Sequence, residues 1–403
     1  MSRIADTQFH RSPEQVYKAF HRFIEEAVHS QKISLKEKSL IELFISEIST
    51  LHHISAHRKY AILTALVKFK DYIQDYSTCT TQDIFISIEH YRTMSGHSPA
   101  NQNMTLGIYK RFLLWLCESE YNTTLNPTKI SKLSLKKPAP LKTAEDILTP
   151  QELEALYDAT KTPRDRALLE VLYESMGRIG EVAMLKWGSL TFHDNYITVA
   201  LESKTDYPRK VPLHTSQIAL KRWMDYYPIE ITPEKYIFLI ARSEGKKPLT
   251  YDGVRWMLQN VRKNAGITKR VTPHIFRHTR ITDLMRMGVP EQTIKMLAWG
   301  TVTTDMLRVY AHLTPTDAEN DLNRIMGIDT KNEKPALADI TTPIQCTGCG
   351  VINPKSNRFC GECGMPLAKE DNDYYNQIVK IMQTGDISKE VAQFILTKMK
   401  KET

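Results

Sequence analysis

The 403-residue chain has no apolar run approaching the roughly 20 residues that a bilayer-spanning helix needs. Its opening stretch, residues 1–11, is polar and lacks the apolar centre of a secretory signal. These two absences predict a cytoplasmic protein without a membrane partner. Composition excludes wholesale disorder, with 41% apolar and 25% charged residues. The length exceeds one ordinary domain and predicts two large ones with small additions.

Carboxylates are missing from two stretches where bases gather. Between Gly253 and Thr282 stand Arg255, Arg262, Lys263, Lys269, Arg270, Arg277 and Arg280 with no Asp or Glu. Between Thr128 and Thr143 there are five lysines and again no acid. The net charge of +8 is modest by itself. Solvated faces usually mix signs, so segregated bases in a chain with 46 acids point to a polyanionic partner.

Cysteine is scarce outside one cluster. Cys79 and Cys117 stand alone in helical patterns and read as core residues. The other four form Cys346-x-x-Cys349 and Cys360-x-x-Cys363, ten residues apart, with Gly348, Gly350, Gly361 and Gly364 supplying permissive turns. Four thiolates at this spacing predict a tetrahedral structural zinc site. The alternatives are two disulfides, disfavoured in a cytosolic chain, or a redox pair, which normally occurs singly.

Residues 1–126 carry helical periodicity. Ser12 is placed to cap a helix that has Pro13 at its first position, and apolar patterns run through Leu40–Ile48, Tyr60–Ile73 and Met104–Leu116. Four or five helices are expected. Residues 127–147 read as a basic, extended linker, with prolines at 127, 138 and 140. A second large domain spans 148–330. It opens with Thr149 as cap, Pro150 next and Glu152 closing a capping box, then a helix over Asp165–Ser175. Alternation over Tyr196–Leu201 and Arg209–Leu213 predicts two strands around a turn. Helices resume near Ser216, Gly253, His274 and Pro290. A four-cysteine module at 341–370 and a helical tail at 371–403 complete the chain.

Within 148–330 lie Gly177-Arg178-Ile179-Gly180-Glu181, His274-Ile275-Phe276-Arg277-His278-Thr279 and Val309-Tyr310-Ala311-His312-Leu313. In this order and spacing the chain resembles the tyrosine recombinase (phage integrase) family. The Asp-Met-Leu-x-x-Tyr-x-His-Leu string and the trailing cysteines most resemble archaeal integrases and their mobile-element relatives. The resemblance covers about residues 10–370 and is strongest over 148–327.

It implies a mainly α fold with a small antiparallel β-sheet (an α+β catalytic core), a helical N-terminal core-binding, SAM-like domain and a C-terminal zinc ribbon. The implied reaction is cleavage and rejoining of DNA through a 3′-phosphotyrosyl bond, without metal or ATP. Tyr310 would be the nucleophile and Arg178 and Arg277 the forks on the phosphate oxygens. Lys204 would protonate the leaving 5′-hydroxyl, because Ser203-Lys204-Thr205 and Arg209-Lys210-Val211-Pro212-Leu213 match the family's lysine hairpin. His274 would accept a proton or donate to the phosphate. Glu181, one helical turn past Arg178, would orient that guanidinium.

One position departs from the common pattern. The Gly-His pair often found nine residues before the nucleophile falls on Thr301, whereas Trp299 stands eleven before it. Trp299 either takes that place, with its indole N–H on the phosphate, or packs the core.

The expected partners are double-stranded DNA at specific sites, three further copies of the chain in a tetramer, and accessory DNA-binding proteins, in a nucleoid-associated setting. Integration, excision and Xer-like resolution of chromosome or plasmid dimers share this chemistry. A type IB topoisomerase-like relaxing enzyme, a non-catalytic DNA-binding relic and a zinc-ribbon adaptor stay open beside them.

Overall fold

The computed structural model describes Phe9 and residues 11–135, 147–202, 207–240, 247–309, 343–354 and 357–367. Lys204, Tyr310, the far part of the linker with Lys136 and Lys137, and the tail at 371–403 lie outside the described residues. The chain divides into two compact units, Met1–Leu141 and Lys142–Thr403.

The first unit is helical: α1 (Pro13–His29), α2 (Leu35–His52), α3 (Ala56–Phe69), α4 (Thr81–Met94), α5 (Pro99–Glu118) and α6 (Pro127–Ser131). Its helix starts are written locally. Ser12 with Gln15, Ser34 with Glu37 and Thr80 with Asp83 form reciprocal capping boxes that satisfy orphan N–H groups. The core is aromatic, with Phe69 stacked on Tyr109 at 3.7 Å and Phe44 edge-on to Phe112 at 5.0 Å. Glu37 also serves the core: its carboxylate accepts from Lys70 Nζ at 2.6 Å and from the Tyr76 N–H at 3.1 Å.

Two features differ from the sequence expectation. The start of the supposed extended linker is helix α6, because Ile130 is fully buried in this core and Asn126 caps the turn. Helix α4 is not among the apolar patterns named from sequence, although Ile84, Ile88 and Tyr91 at i, i+4 and i+7 are all buried. Its run Ile84, Ile86, Ile88 alternates like a strand, and Ile86 is indeed 59% exposed.

The second unit contains α7 (Pro150–Asp158), α8 (Pro163–Glu174), α9 (Ile179–Val182), β1 (Leu190–Phe192), β2 (Ile197–Leu201), β3 (Arg209–Leu213), α10 (Ser216–Asp225), α11 (Tyr251–Asn264), α12 (Pro273–Arg286) and α13 (Glu291–Trp299). The strands form an antiparallel sheet in the order β1-β2-β3, with Val199 opposite Val211 and Leu201 opposite Arg209. Strand β1 escaped the sequence reading because three residues with one buried side chain carry no period. Helix α8 is buried around most of its circumference and packs against both α10 and α12. The fold is mainly α with small antiparallel sheets, as expected. A hairpin of β4 (Ile344–Gln345) and β5 (Ile352–Asn353) opens the four-cysteine module. Among the described residues no helix is long and apolar enough to cross a membrane.

Candidate active site

Helix α8 ends at Glu174, and the chain then turns sharply through Met176, whose φ of 53° lies in the left-handed region. Gly177 follows where no side chain fits, since a Cβ there would stand 2.5 Å from Val182 Cγ2. This turn delivers Arg178 to the N-cap of α9. Glu181 reaches back, accepting from the Arg178 backbone N–H at 2.9 Å and pairing with its guanidinium at 3.4 Å. The Arg178 side chain remains 32% exposed, so it can meet a ligand.

Glu181 has a stronger partner. Arg209, at the start of β3, donates Nη2 to Glu181 Oε2 at 2.6 Å, and both side chains are buried. Arg209 also donates Nε to the Leu297 carbonyl at 3.0 Å. In the sequence Arg209 stands only as the first residue of the Arg209-Lys210-Val211-Pro212-Leu213 run. Its alternation with Val211 and Leu213 was the available signal, because that phase places a charge on the inner face of the strand.

Arg277 lies one turn into α12 and is 4% exposed. Its Nη1 donates to the Met176 carbonyl at 2.5 Å and its Nη2 to the Ala298 carbonyl at 2.8 Å. The guanidinium carbon lies 5.0 Å from the ring centroid of Trp299. The physical reason for this gathering is the C-terminus of α13. A helix leaves its last carbonyls unpaired and carries partial negative charge there. Leu297 and Ala298 therefore hold one guanidinium each, and Gly300, at φ 72°, ends the helix. A Cβ at Gly300 would meet the Tyr207 carbonyl oxygen at 2.6 Å. The backbone leaving the lysine turn thus abuts the residue after Trp299.

The structure brings together Arg178, Arg277 and Trp299, with Glu181 and Arg209 added. His274 sits exposed in the first turn of α12, one turn before Arg277, and its ring centroid is 6.3 Å from that of His278. Behind the site, Tyr173 of α8 donates its hydroxyl to Asp283 of α12 at 2.8 Å, and Arg280 lies over the Tyr173 ring. Burial pushes the Asp283 carboxyl up to about 6, against the opposing pull of the Tyr173 hydrogen bond and Arg280. Lys204 and Tyr310 lie outside the described residues, and the 3-10 turn Met306–Val309 leads up to the latter.

The four clustered cysteines hold their sulfurs within 4.8 Å of one another. Cys346–Cys363 and Cys349–Cys360 are each 3.6 Å apart, too far for a disulfide and near the roughly 3.8 Å edge of a tetrahedron with 2.3 Å metal–sulfur bonds. Two matching knuckles create this arrangement. Gly350 N–H donates to the Cys346 carbonyl and Gly364 N–H to the Cys360 carbonyl, each at 2.9 Å, with both glycines at positive φ. The donor set fits one thiophilic metal ion.

Residues 146–317 match the phage integrase family. Transposase A of transposon Tn554 from Staphylococcus aureus is 26% identical over 277 residues, 66% of this chain and 68% of that protein. Tyrosine recombinase XerC of Listeria monocytogenes is 26% identical over 301 residues, 70% of this chain and 95% of the relative. Among solved structures, a lambda integrase dimer bound to a COC′ core site shares the fold with a TM-score of 0.55 at 16% identity, covering 80% of this chain and 89% of that one. The Tn1549 transposon integrase in complex with circular intermediate DNA does so at 0.52 and 17%, covering 70% and 98%. Both named sequence relatives are bacterial, and the finer likeness to archaeal integrases stays an expectation. Family match, relatives and fold agree with the arginine-centred geometry: residues 146–317 form a phage integrase family domain of the tyrosine recombinase kind.

Proposed function

We propose that this protein is a site-specific DNA recombinase acting through Tyr310. The observation that carries the reading is the pair of guanidiniums, Arg178 and Arg277, fixed around one turn of chain by Glu181, Met176 and the end of α13. Phosphoryl transfer spreads negative charge over the non-bridging oxygens, and preorganised forks stabilise that charge without reorganising. The Tyr310 hydroxyl oxygen attacks phosphorus, the bond to the 5′-oxygen breaks, and a 3′-phosphotyrosyl ester forms. Lys204 gives a proton to the departing 5′-oxygen, while His274 takes the tyrosine proton or donates to the phosphate. The ester conserves the phosphodiester linkage, so rejoining needs neither ATP nor metal.

Double-stranded DNA is the substrate. Residues 1–126 and 148–330 act as DNA-binding and catalytic domains, with the basic linker on the backbone phosphates. A tetramer on two sites exchanges strands, with accessory DNA-binding proteins, in the cytoplasm at the nucleoid. Cys346, Cys349, Cys360 and Cys363 hold a structural zinc ion, which orders the module and takes no part in the chemistry. Xer-like dimer resolution uses the same groups, and the near-complete coverage of XerC supports keeping it as the second reading.

The test is a suicide duplex carrying a nicked candidate site, incubated without metal or ATP and resolved by denaturing gel. Wild type forms a covalent adduct and Tyr310→Phe does not. An adduct that survives in Tyr310→Phe means a different nucleophile, and tight binding without any adduct means a DNA-binding relic.

A further inference from the structure

The four-cysteine module is not complete on its own. Its small core of Cys346, Val351 and Cys360 is closed by Met365, Leu367 and Ile218, and Ile218 belongs to α10 of the catalytic domain. The fit is close: a Cβ on Gly361 would stand 2.7 Å from Ile218 Cγ2. One turn along α10, Lys221 pairs with Glu362 at 3.2 Å. At the other knuckle Gly350 faces Asn195, whose carbonyl accepts from the buried Gln217 of α10 at 2.6 Å. Ile218 and Lys221 of α10 therefore meet the second knuckle directly, and Gln217 supports Asn195, which faces the first.

Helix α10 is also tied to the end of α8, just before the turn through Met176. It has no side-chain cap of its own. Glu174, the last residue of α8, replaces it by accepting from the backbone N–H groups of His214, Thr215 and Ser216 at 2.8, 3.1 and 2.9 Å and from the Ser216 hydroxyl at 2.7 Å. A carboxylate at a helix N-terminus satisfies both the orphan donors and the dipole. Two residues beyond Glu174 is the Met176 carbonyl that holds Arg277, and two further is Arg178.

We propose that the four-cysteine module is a metal-dependent brace, docked through Gly361 onto Ile218, and that Glu174 makes α10 a positioning element for Arg178 and Arg277. Thiolate knuckles of this size fold only when metal is bound, so losing the metal removes the partners of Ile218 and loosens α10. The chemistry uses no metal, but its geometry depends on one. This inference rests on the recombinase reading only where it concerns reaction rate.

The experiment uses full-length protein and a volume swap across the contact. Gly361→Val puts a wedge against Ile218 without touching a cysteine, and adding Ile218→Ala makes room for it. Hydrogen exchange, zinc content, DNA affinity and single-turnover adduct formation are measured for each. Gly361→Val is expected to keep its zinc, to speed exchange over 214–225 and 174–178, and to slow adduct formation about 10-fold at saturating DNA with unchanged affinity. The double variant recovers the slow exchange and the adduct rate, and chelating the metal from wild type reproduces the exchange over 214–225 and 174–178 and the slower adduct formation. Exchange changes confined to 343–367, or affinity falling in step with rate, overturn the brace and leave an independent DNA-contacting module. A wild type that forms no adduct defeats the recombinase reading, while the exchange measurement still decides the docking.

Discussion

The guanidinium of Arg277 lies over the indole of Trp299, 5.0 Å from its centroid, and each residue is 4% exposed. This arrangement separates the two readings of Trp299. If the ring supports Arg277, Trp299→Phe keeps the π face and most activity, whereas Trp299→Ala slows adduct formation about 10-fold. If the indole N–H contacts phosphate, the two variants lose alike. Single-turnover rates on a nicked duplex decide, and the geometry favours the first outcome.

Lys204 is assigned to protonating a leaving oxygen, and that role has a chemical signature. Lys204→Ala should lower cleavage by about 10² to 10⁴ on ordinary DNA. On a duplex with sulfur in place of the bridging 5′-oxygen the loss should largely vanish, because a thiolate leaves without a proton. An equal loss on both substrates would move the role to another residue.

The buried Arg209–Glu181 pair carries both stability and position. Arg209→Ala leaves a carboxylate that is 7% exposed with only the longer Arg178 pair and one backbone N–H, at an expected cost of up to about 3–5 kcal/mol in urea unfolding of the second unit. Glu181→Gln keeps the volume and should be milder in stability. It should nevertheless slow adduct formation, because Arg178 loses its charged orienting partner.

Much of this was legible before the structure. The caps at Ser12 and Thr149 and the two strands flanking the lysine turn are local signals, and local signals survive in one dimension. The partners that hold the site are not local. Arg209 meets Glu181 across a hairpin, and Ile218 meets Gly361 from another part of the chain, so no window of sequence contains either pair. Ile130 was lost for a different reason: its surrounding prolines and lysines outweighed one apolar residue.

Two acids predict a pH dependence of stability. Burial pushes Glu170 up to about 7, opposed by Arg166, and Asp283 up to about 6. Both values lie above the unfolded range, so between about pH 4 and 7 the native state holds more protons than the unfolded chain. Stability from these groups is fully present below the unfolded values and is lost as pH rises through 6 to 7, on the order of a few kcal/mol. Denaturant unfolding at pH 5 and pH 8 should show a smaller decline for Asp283→Asn than for wild type. An unchanged decline would mean that Asp283 is ionised throughout.

Arg277 and Arg209 are anchored on the main-chain oxygens of Met176, Ala298 and Leu297. A peptide carbonyl is there whatever amino acid occupies the position. The anchoring contacts are thus made to groups that no substitution removes, although packing and, at Met176, a φ of 53° still restrict which side chains fit there. A scaffold of this kind can replace most of its residues while its chemistry stays put, consistent with relatives that share only 26% of their aligned residues with this chain.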